Sequence, residues 1–376
     1  MNPKMKHHMN RIFLSTFFGC ILLLFHIAQV SAQRECITRP GPAYRIPNST
    51  VVTQKIATNP VLATLPYNLR VRFVVFADSD GSNRAADDTN ILRQFDNMRA
   101  FYRNHQVCFI RMEIVQVNNT DLNDMDVDND ESLLSPYIAD DRITIFVHRN
   151  LFYSDGSLNG IAYDIPNNYL SIVRSAVLDT GNISTMAHEM GHCLGLLHTF
   201  ETARGVENIS RSSCRNCDTN GDLLCDTPAD PHSDEYDTGD FISAMCNYSG
   251  TATQQCSGQT LFYQMQPNNI MAYGRRPCRN VFTEGQGDRA RTFIADDSQL
   301  SSSLTPENLL LSTTHSYTSG RQFLLARDAV TIAPLQFTAS QIAQLTISAA
   351  RVTLQPNTLL QPSGNGYTEI RPSTCQ

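Results

Sequence analysis

The chain has 376 residues, with 29 Lys and Arg against 36 Asp and Glu, and a formal charge of −7. That length allows a large core and more than one domain. The acidic balance argues against nucleic acid as the main partner.

Lys4, Lys6 and Arg11 precede a mostly apolar run from Ile12 to Phe25, and Val30-Ser31-Ala32 supplies small residues for a cleavage site. A basic start, a short apolar core and such a site read as a secretory signal peptide over residues 1–32. The run is short for a membrane span of about twenty residues, and His26 and Gln29 interrupt its end. Cys20 is followed by further apolar residues, and Phe17 stands where a lipoprotein site needs a small aliphatic residue. No later stretch is apolar enough to cross a bilayer. Cleavage after Ala32 leaves 344 residues, a charge of −10 and ten cysteines. An even count in an exported chain suggests disulfides.

Residues 33–64 are rich in Pro, Thr and Asn without a clear period, and read as a leader or pro-segment. Within it, Cys36 is either a thiolate that blocks a metal in a zymogen or a partner for the equally terminal Cys375. If Cys193 stays a free thiol, parity leaves one more cysteine unpaired, and Cys36 is a candidate.

Leu69–Phe76 starts as an alternating strand and becomes apolar, and Asp78–Asp88 is a loop. Thr89–Asn104 carries Ile91, Leu92, Phe95, Met98 and Phe101 at helical spacing. Val107–Val117, Ile143–Val147 and Tyr169–Val173 read as further strands. The acidic run Asp121–Glu131 reads as a solvated loop. Strand, helix and more strands before a helical motif make an α/β layout.

That motif is His188-Glu189-Met190-Gly191-His192-Cys193-Leu194-Gly195-Leu196-Leu197-His198, or H-E-x-x-H-x-x-G-x-x-H. His188 and His192 leave one helix face a turn apart and suit a single zinc ion. Glu189 lies where it would take a proton from water activated by the metal. Gly195 lets the chain leave the helix with positive φ, and His198 then returns as third ligand. Three protein ligands with one open position mark a catalytic zinc site. Met186, Met190, Cys193, Leu194 and Leu197 form the buried stripe of the same helix.

Downstream the chain becomes loop-rich and holds most cysteines. Cys214-x-x-Cys217 suits disulfides, half of a structural zinc site or a redox pair. Asp218, Asn220 and Asp222 place oxygens at every second residue beside Gly221, which suits calcium or equally a turn that caps its own backbone. Asn269–Gly274 follows. There Met271 can form an apolar floor under the imidazoles, and the Tyr273 hydroxyl can stabilise charge developing on a substrate oxygen.

Together, His188–Phe200, Cys225-Asp226-Thr227-Pro228, Asn269–Tyr273 and Cys278–Gln286 resemble the pappalysin family of metzincin zinc metallopeptidases, in its cytophagalysin-like bacterial branch. The resemblance covers roughly residues 65–297. It implies an α/β (α+β) catalytic domain with a twisted mixed sheet, a zinc-binding helix and a Met-turn, with substrate in a cleft between two lobes. It implies His188, His192 and His198 as zinc ligands, Glu189 as general base, Met271 as the Met-turn residue and Tyr273 as transition-state donor. It also implies disulfides Cys225–Cys256 and Cys246–Cys278, and calcium near Cys225–Asp230. The segment after the Met-turn, Gly274-Arg275-Arg276-Pro277, shapes the pocket beyond the scissile bond. It offers no buried acid, so it predicts no strict preference for Arg or Lys.

Residues 298–376 shift to Ser, Thr, Gln and Leu with few aromatics. Asp328–Ile332, Ala343–Ile347 and Ala350–Leu354 are short alternating segments about a turn apart. They predict a small accessory β domain with repeated strands, serving as a secretion or surface-attachment module or as a structural cap. The whole reads as a secreted zinc endopeptidase acting on protein or peptide substrates. The competing reading is a secreted adhesion or binding protein on the same fold without catalysis. Loss of Glu189 or a histidine would signal it, and all four are intact.

Overall fold

The computed structural model describes residues 35–59, 62, 65–333, 337–356, 358–371 and 375. All belong to one compact unit, Ala32–Gln376. The expected signal peptide, residues 1–32, lies outside the described residues. Among the described residues no helix is long and apolar enough to cross a membrane.

The segment 33–64, expected to be a leader, contains a helix that its composition does not announce, α1 (Ser49–Thr58). Asn48 caps it by accepting from the Thr50 and Val51 amides. Lys55 anchors it by an ion pair of 2.6 Å to Asp296.

Residues 67–173 carry a five-stranded mixed sheet. Its strands are β1 (Tyr67–Ala77), β2 (Val107–Asn118), β3 (Ile143–His148), β4 (Gly160–Ala162) and β5 (Tyr169–Val173), in the order β2-β1-β3-β5-β4. The first four are parallel, and β4 runs antiparallel at the edge. Parallel strands β1 and β2 need a crossover, supplied by α2 (Asp88–Arg103). Asp87 caps α2 through the Asn90 amide, and its Ile91, Phe95 and Met98 pack into the core. β3 is buried at every position, as a parallel strand covered on both faces must be. The three-residue β4 has no sequence pattern and escapes prediction.

The acidic run differs from the solvated loop expected of it. Leu122 and Met125 are fully buried within it. Arg149 pairs with Asp124 and with Asp78 and neutralises the charge around them. The apolar residues interleaved with the acids decide the fold of this stretch.

Two further helices frame the site, α3 (Thr185–Cys193) and α4 (Glu284–Asp296). α4 opens with a capping box between Thr283 and Gln286. The Asp226 carboxylate accepts from the Gly285 amide at 2.6 Å, which adds negative charge at the helix start.

The C-terminal strands are β6 (Asn308–Leu311), β7 (His315–Tyr317), β8 (Arg321–Leu325), β9 (Ala329–Ile332), β10 (Phe337–Gln341), β11 (Gln344–Ser348), β12 (Arg351–Leu354), β13 (Thr358–Pro362) and β14 (Tyr367–Arg371). They form three parallel three-stranded sheets, β6-β9-β12, β7-β10-β13 and β8-β11-β14. This is a three-coil parallel β-solenoid. Val330, Ile332, Phe337, Ala339, Leu345 and Ile347 of the middle coil are fully buried in its own core, as stacked repeats require.

Four disulfides join Cys108–Cys375, Cys214–Cys256, Cys217–Cys225 and Cys246–Cys278. The expected Cys225–Cys256 pair is therefore corrected. Cys225 lies eight residues from Cys217 on one tight loop, which brings those two together, and Cys256 closes on Cys214. These pairings take both cysteines of Cys214-x-x-Cys217 out of any zinc or redox role. Cys375 bonds to Cys108 and not to Cys36. Cys36 and Cys193 are buried free thiols.

Gly195 has φ +86°, and a Cβ there would lie 2.1 Å from Phe293 of α4. Gly258 has a similar φ of +79° with nothing within 4 Å. Gly258→Ala therefore pays only for the backbone, about 1 kcal/mol. Gly195→Ala adds overpacking and costs about 2–4 kcal/mol. Denaturant unfolding of the two variants checks the ordering, and equal losses would refute it.

Candidate metal centre and active-site cleft

Every residue of α3 is buried. The Asn182 side chain accepts from both the Thr185 amide and its hydroxyl at the helix start. The Tyr102 hydroxyl of α2 donates to the Ala187 carbonyl at 2.8 Å and fixes the helix against its neighbour. The helix ends in a Schellman turn around Gly195. The Leu196 amide reaches Gly191 O and the Gly195 amide reaches His192 O, both at 2.9 Å. The turn returns the chain so that His198 faces the two helical histidines.

The three Nε2 atoms of His188, His192 and His198 lie 3.2 Å from one another. Nδ1 of His188 is 2.8 Å from Ile270 O, and Nδ1 of His192 is 2.8 Å from Leu196 O. A carbonyl can only accept, so both Nδ1 atoms carry the proton and both Nε2 atoms present lone pairs inward. Burial pushes all three rings well below the usual histidine range, His188 to about 3. Tetrahedral ligands about 2.0–2.1 Å from a zinc ion lie about 3.3–3.4 Å apart. The donor set, its spacing and its dryness fit that ion.

Ile270, which orients His188, belongs to the Met-turn. The Asn269 side chain accepts from the Met271 amide and pairs with the Gln286 amide group of α4. Met271 is fully buried, and its sulfur occupies the space that a Cβ on Gly191 would need, at 2.5 Å. The structure thus places Met271 directly beneath α3.

Glu189 is fully buried behind the histidines. Burial foremost, with the nearby Glu35 charge, pushes its carboxyl up to about 8. Its Oε2 accepts from the Cys36 thiol at 3.2 Å, and its Oε1 has no hydrogen-bond partner. The Cys36 sulfur joins the three imidazoles in one group whose ligand atoms all lie within 4.8 Å. Tyr273 stacks edge-on against His198 at 5.0 Å, and its hydroxyl donates to the Cys36 carbonyl. Burial first, then the Cys36 and Glu189 charges, holds that phenol well above its usual range and keeps it a donor.

The leader also occupies the sheet edge. The Thr38 hydroxyl donates to Ala162 O of β4 and accepts from the Ala162 amide. Glu35 pairs with Arg276 at 2.8 Å and with Arg279 at 2.9 Å. Glu35, Thr38 and Arg276 line a cleft of about 810 Å³ beside the metal centre, and Arg279 lies buried behind Glu35. Phe200 stacks on His198, and His232 packs on both Phe200 and Tyr273. Phe200, His232, Thr38, Arg279 and Glu35 were missed by sequence reasoning, because no spacing rule marks them.

The suggested calcium oxygens do not converge. Asp218 and Asn220 sit on the loop surface, whereas Asp222 is buried. Asp222 accepts from the Leu224 amide and the Thr227 hydroxyl. Asp230 accepts from the Thr199 hydroxyl. Burial pushes Asp222 up to about 7, Asp230 to about 6 and Glu207 to about 8.

Residues 152–295 match the model of the peptidase M43 family, described as pregnancy-associated plasma protein-A. Pappalysin-1 of Mus musculus is 30% identical over 163 residues, which are 39% of this chain and 9% of that protein. An extracellular metalloprotease of Arthroderma otae is 27% identical over 112 residues, 28% of this chain and 36% of that protein. The chain thus spans well under two thirds of the length of either relative. Among solved structures, mature mirolysin of Tannerella forsythia in complex with a cleaved peptide aligns with a TM-score of 0.46 and 18% identity, over 62% of this chain and 94% of that one. The matched segment contains the three histidines, Glu189, Met271 and Tyr273. Over residues 152–295 the chain is thus similar to the pappalysin family of metallopeptidases.

Proposed function

We propose that this protein is a secreted zinc endopeptidase made in a latent form, with its leader lying in the cleft as a stand-in for substrate. The observation that carries this reading is the Cys36 sulfur grouped with three inward-facing imidazoles. A zinc ion in that position supplies Lewis acidity toward a peptide carbonyl and lowers the pKa of water to about 7. His188, His192 and His198 hold it, and the Ile270 and Leu196 carbonyls hold two of those rings in the required tautomer. Cys36 would offer its sulfur as a further ligand to that ion in the latent form and shut out water.

With Cys36 withdrawn, the Glu189 carboxylate is free at both oxygens. It takes a proton from the attacking water and passes it to the departing amine. Tyr273 now donates to a leader carbonyl, and after removal it donates to the scissile carbonyl oxygen as charge grows there. The Ala162 amide and carbonyl, now engaged by Thr38, are left to pair with an extended substrate. The four disulfides and the extracellular relative support secretion. The solenoid is proposed as an accessory domain over residues 298–376. Calcium is proposed at the Cys225–Asp230 loop, supported by the buried carboxylates Glu207, Asp222 and Asp230.

Glu189→Gln retains one zinc per chain and lowers casein hydrolysis by at least about 100-fold. Metal analysis beside a protease assay, with and without chelator, checks this. Zinc in both proteins with equal cleavage would remove Glu189 from its role, and zinc without cleavage after leader removal would favour the binding-protein reading.

Cys36→Ser weakens the fourth ligand, so the uncut variant hydrolyses casein faster than the uncut parent. After leader removal the two should be equal. An uncut variant as silent as the parent would show that the thiol does not enforce latency.

Asp222 binds its proton more tightly in the fold than at the unfolded value of about 3.9. Relative to Asp222→Asn, the parent therefore loses stability as pH rises from about 4 through about 7. Calcium at neutral pH should raise the Tm of the parent more than that of the variant. An equal rise in both would place calcium elsewhere.

A further inference from the structure

Glu35 is held by two guanidiniums at once. Arg276 Nε reaches one carboxylate oxygen at 2.8 Å, and Arg279 Nη2 reaches the other at 2.9 Å. The two arginines differ in setting. The Arg276 side chain is 29% exposed at the cleft wall, whereas that of Arg279 is 1% exposed. Besides Glu35, Arg279 donates to Ala272 O at 3.2 Å, and its Nε has no partner. Among the described residues no other carboxylate lies within ion-pair distance of either guanidinium. Asp234 and Asp237 line the same cleft, and Asp237 lies beside His232. The carboxylate is largely withdrawn from water, which pushes its pKa up. Arg279 and then Arg276 outweigh that and hold it below the usual glutamate range.

The latent state therefore satisfies a buried cation with an acid from a segment that activation removes. A buried guanidinium without an anion is strongly unfavourable. The processed cleft needs a replacement, and the only entering chain is the substrate. Glu35 is adjacent to Cys36, the residue at the metal, so its side chain marks a subsite next to the reacting centre. A planar two-guanidinium clamp suits a carboxylate and rejects a basic side chain.

We propose that Arg276 and Arg279 form an acid-selecting subsite in the processed enzyme, which takes an Asp or Glu side chain of the substrate within a residue or two of the cleaved bond. This rests on the latent-peptidase reading. It extends the absence of a basic preference, expected from Gly274–Pro277, to a positive choice of acid.

The test uses the zinc-loaded full chain, activated by limited proteolysis of its leader with the excised segment removed. A peptide library is cleaved by the parent, by Arg276→Gln and by Arg279→Gln, and the residues flanking each cut are read by mass spectrometry. A second measurement uses the same processed protein carrying Glu189→Gln. It compares binding of a peptide of residues 33–40, with Ser at position 36, against its Glu35→Gln form. We expect Asp and Glu enriched near the cut by about tenfold or more, with the enrichment lost in Arg276→Gln even if Arg279→Gln fails to fold. We expect the Glu35 peptide to bind about tenfold or more tighter than the Gln form. Cleavage without acid enrichment, or with basic residues favoured, overturns the subsite and leaves the peptidase standing. Charge-selective binding without any cleavage keeps the subsite and removes the peptidase. Neither cleavage nor selective binding removes both.

Discussion

Three imidazole nitrogens, two of them presenting lone pairs, crowd one point in a dry interior, and the rest of the site is arranged to force that encounter. Two of the rings are locked by backbone carbonyls, one from the Met-turn and one from the Schellman turn. Each of those turns is braced in its own way. The Met-turn is braced by the Asn269–Gln286 amide pair. The Schellman turn depends on a glycine pressed against Phe293. The second part of the catalytic chain thus exists to hold two carbonyls still, and a cation is what makes the arrangement favourable.

The same economy governs the leader. Polar groups of the cleft are each engaged by residues 35–38 in kind. Tyr273 finds a backbone carbonyl, the β4 edge finds a donor and acceptor in the Thr38 hydroxyl, and the arginines find a carboxylate. Such matching leaves few buried groups unsatisfied and so stabilises the closed state without a large apolar contact. α1 contributes a separate anchor at Asp296, far along the chain from the metal ligands.

The legible features were those with a fixed period. The helix carrying Ile91, Phe95 and Met98 and the strands before it followed from side-chain alternation. The zinc motif was legible because 3.6 residues per turn dictates where two ligands must stand. Met271 and Tyr273 stood out only from their place behind the zinc motif and from resemblance, since a methionine in a turn has no spacing signature. Glu35 and Arg279 were invisible, because ion pairs between residues 244 positions apart leave no local trace. The Cys225–Cys256 pairing misled for a similar reason. Four cysteines within one loop region admit several pairings, and the choice between them is made by loop geometry. The solenoid was half legible, as short strands at a regular interval, but parallel stacking of three faces is a tertiary fact.

The bond between Cys108 and Cys375 closes a covalent ring between residues 267 positions apart. The metal ligands and the Met-turn lie inside it, whereas β1 and α2 precede it. The solenoid lies inside it as well. A backbone cut at any exposed loop within that ring opens the circle but releases nothing. This separates being nicked from being lost. A nicked molecule would migrate as one species until its disulfides are reduced, and its two ends would still hold the lobes of the cleft together.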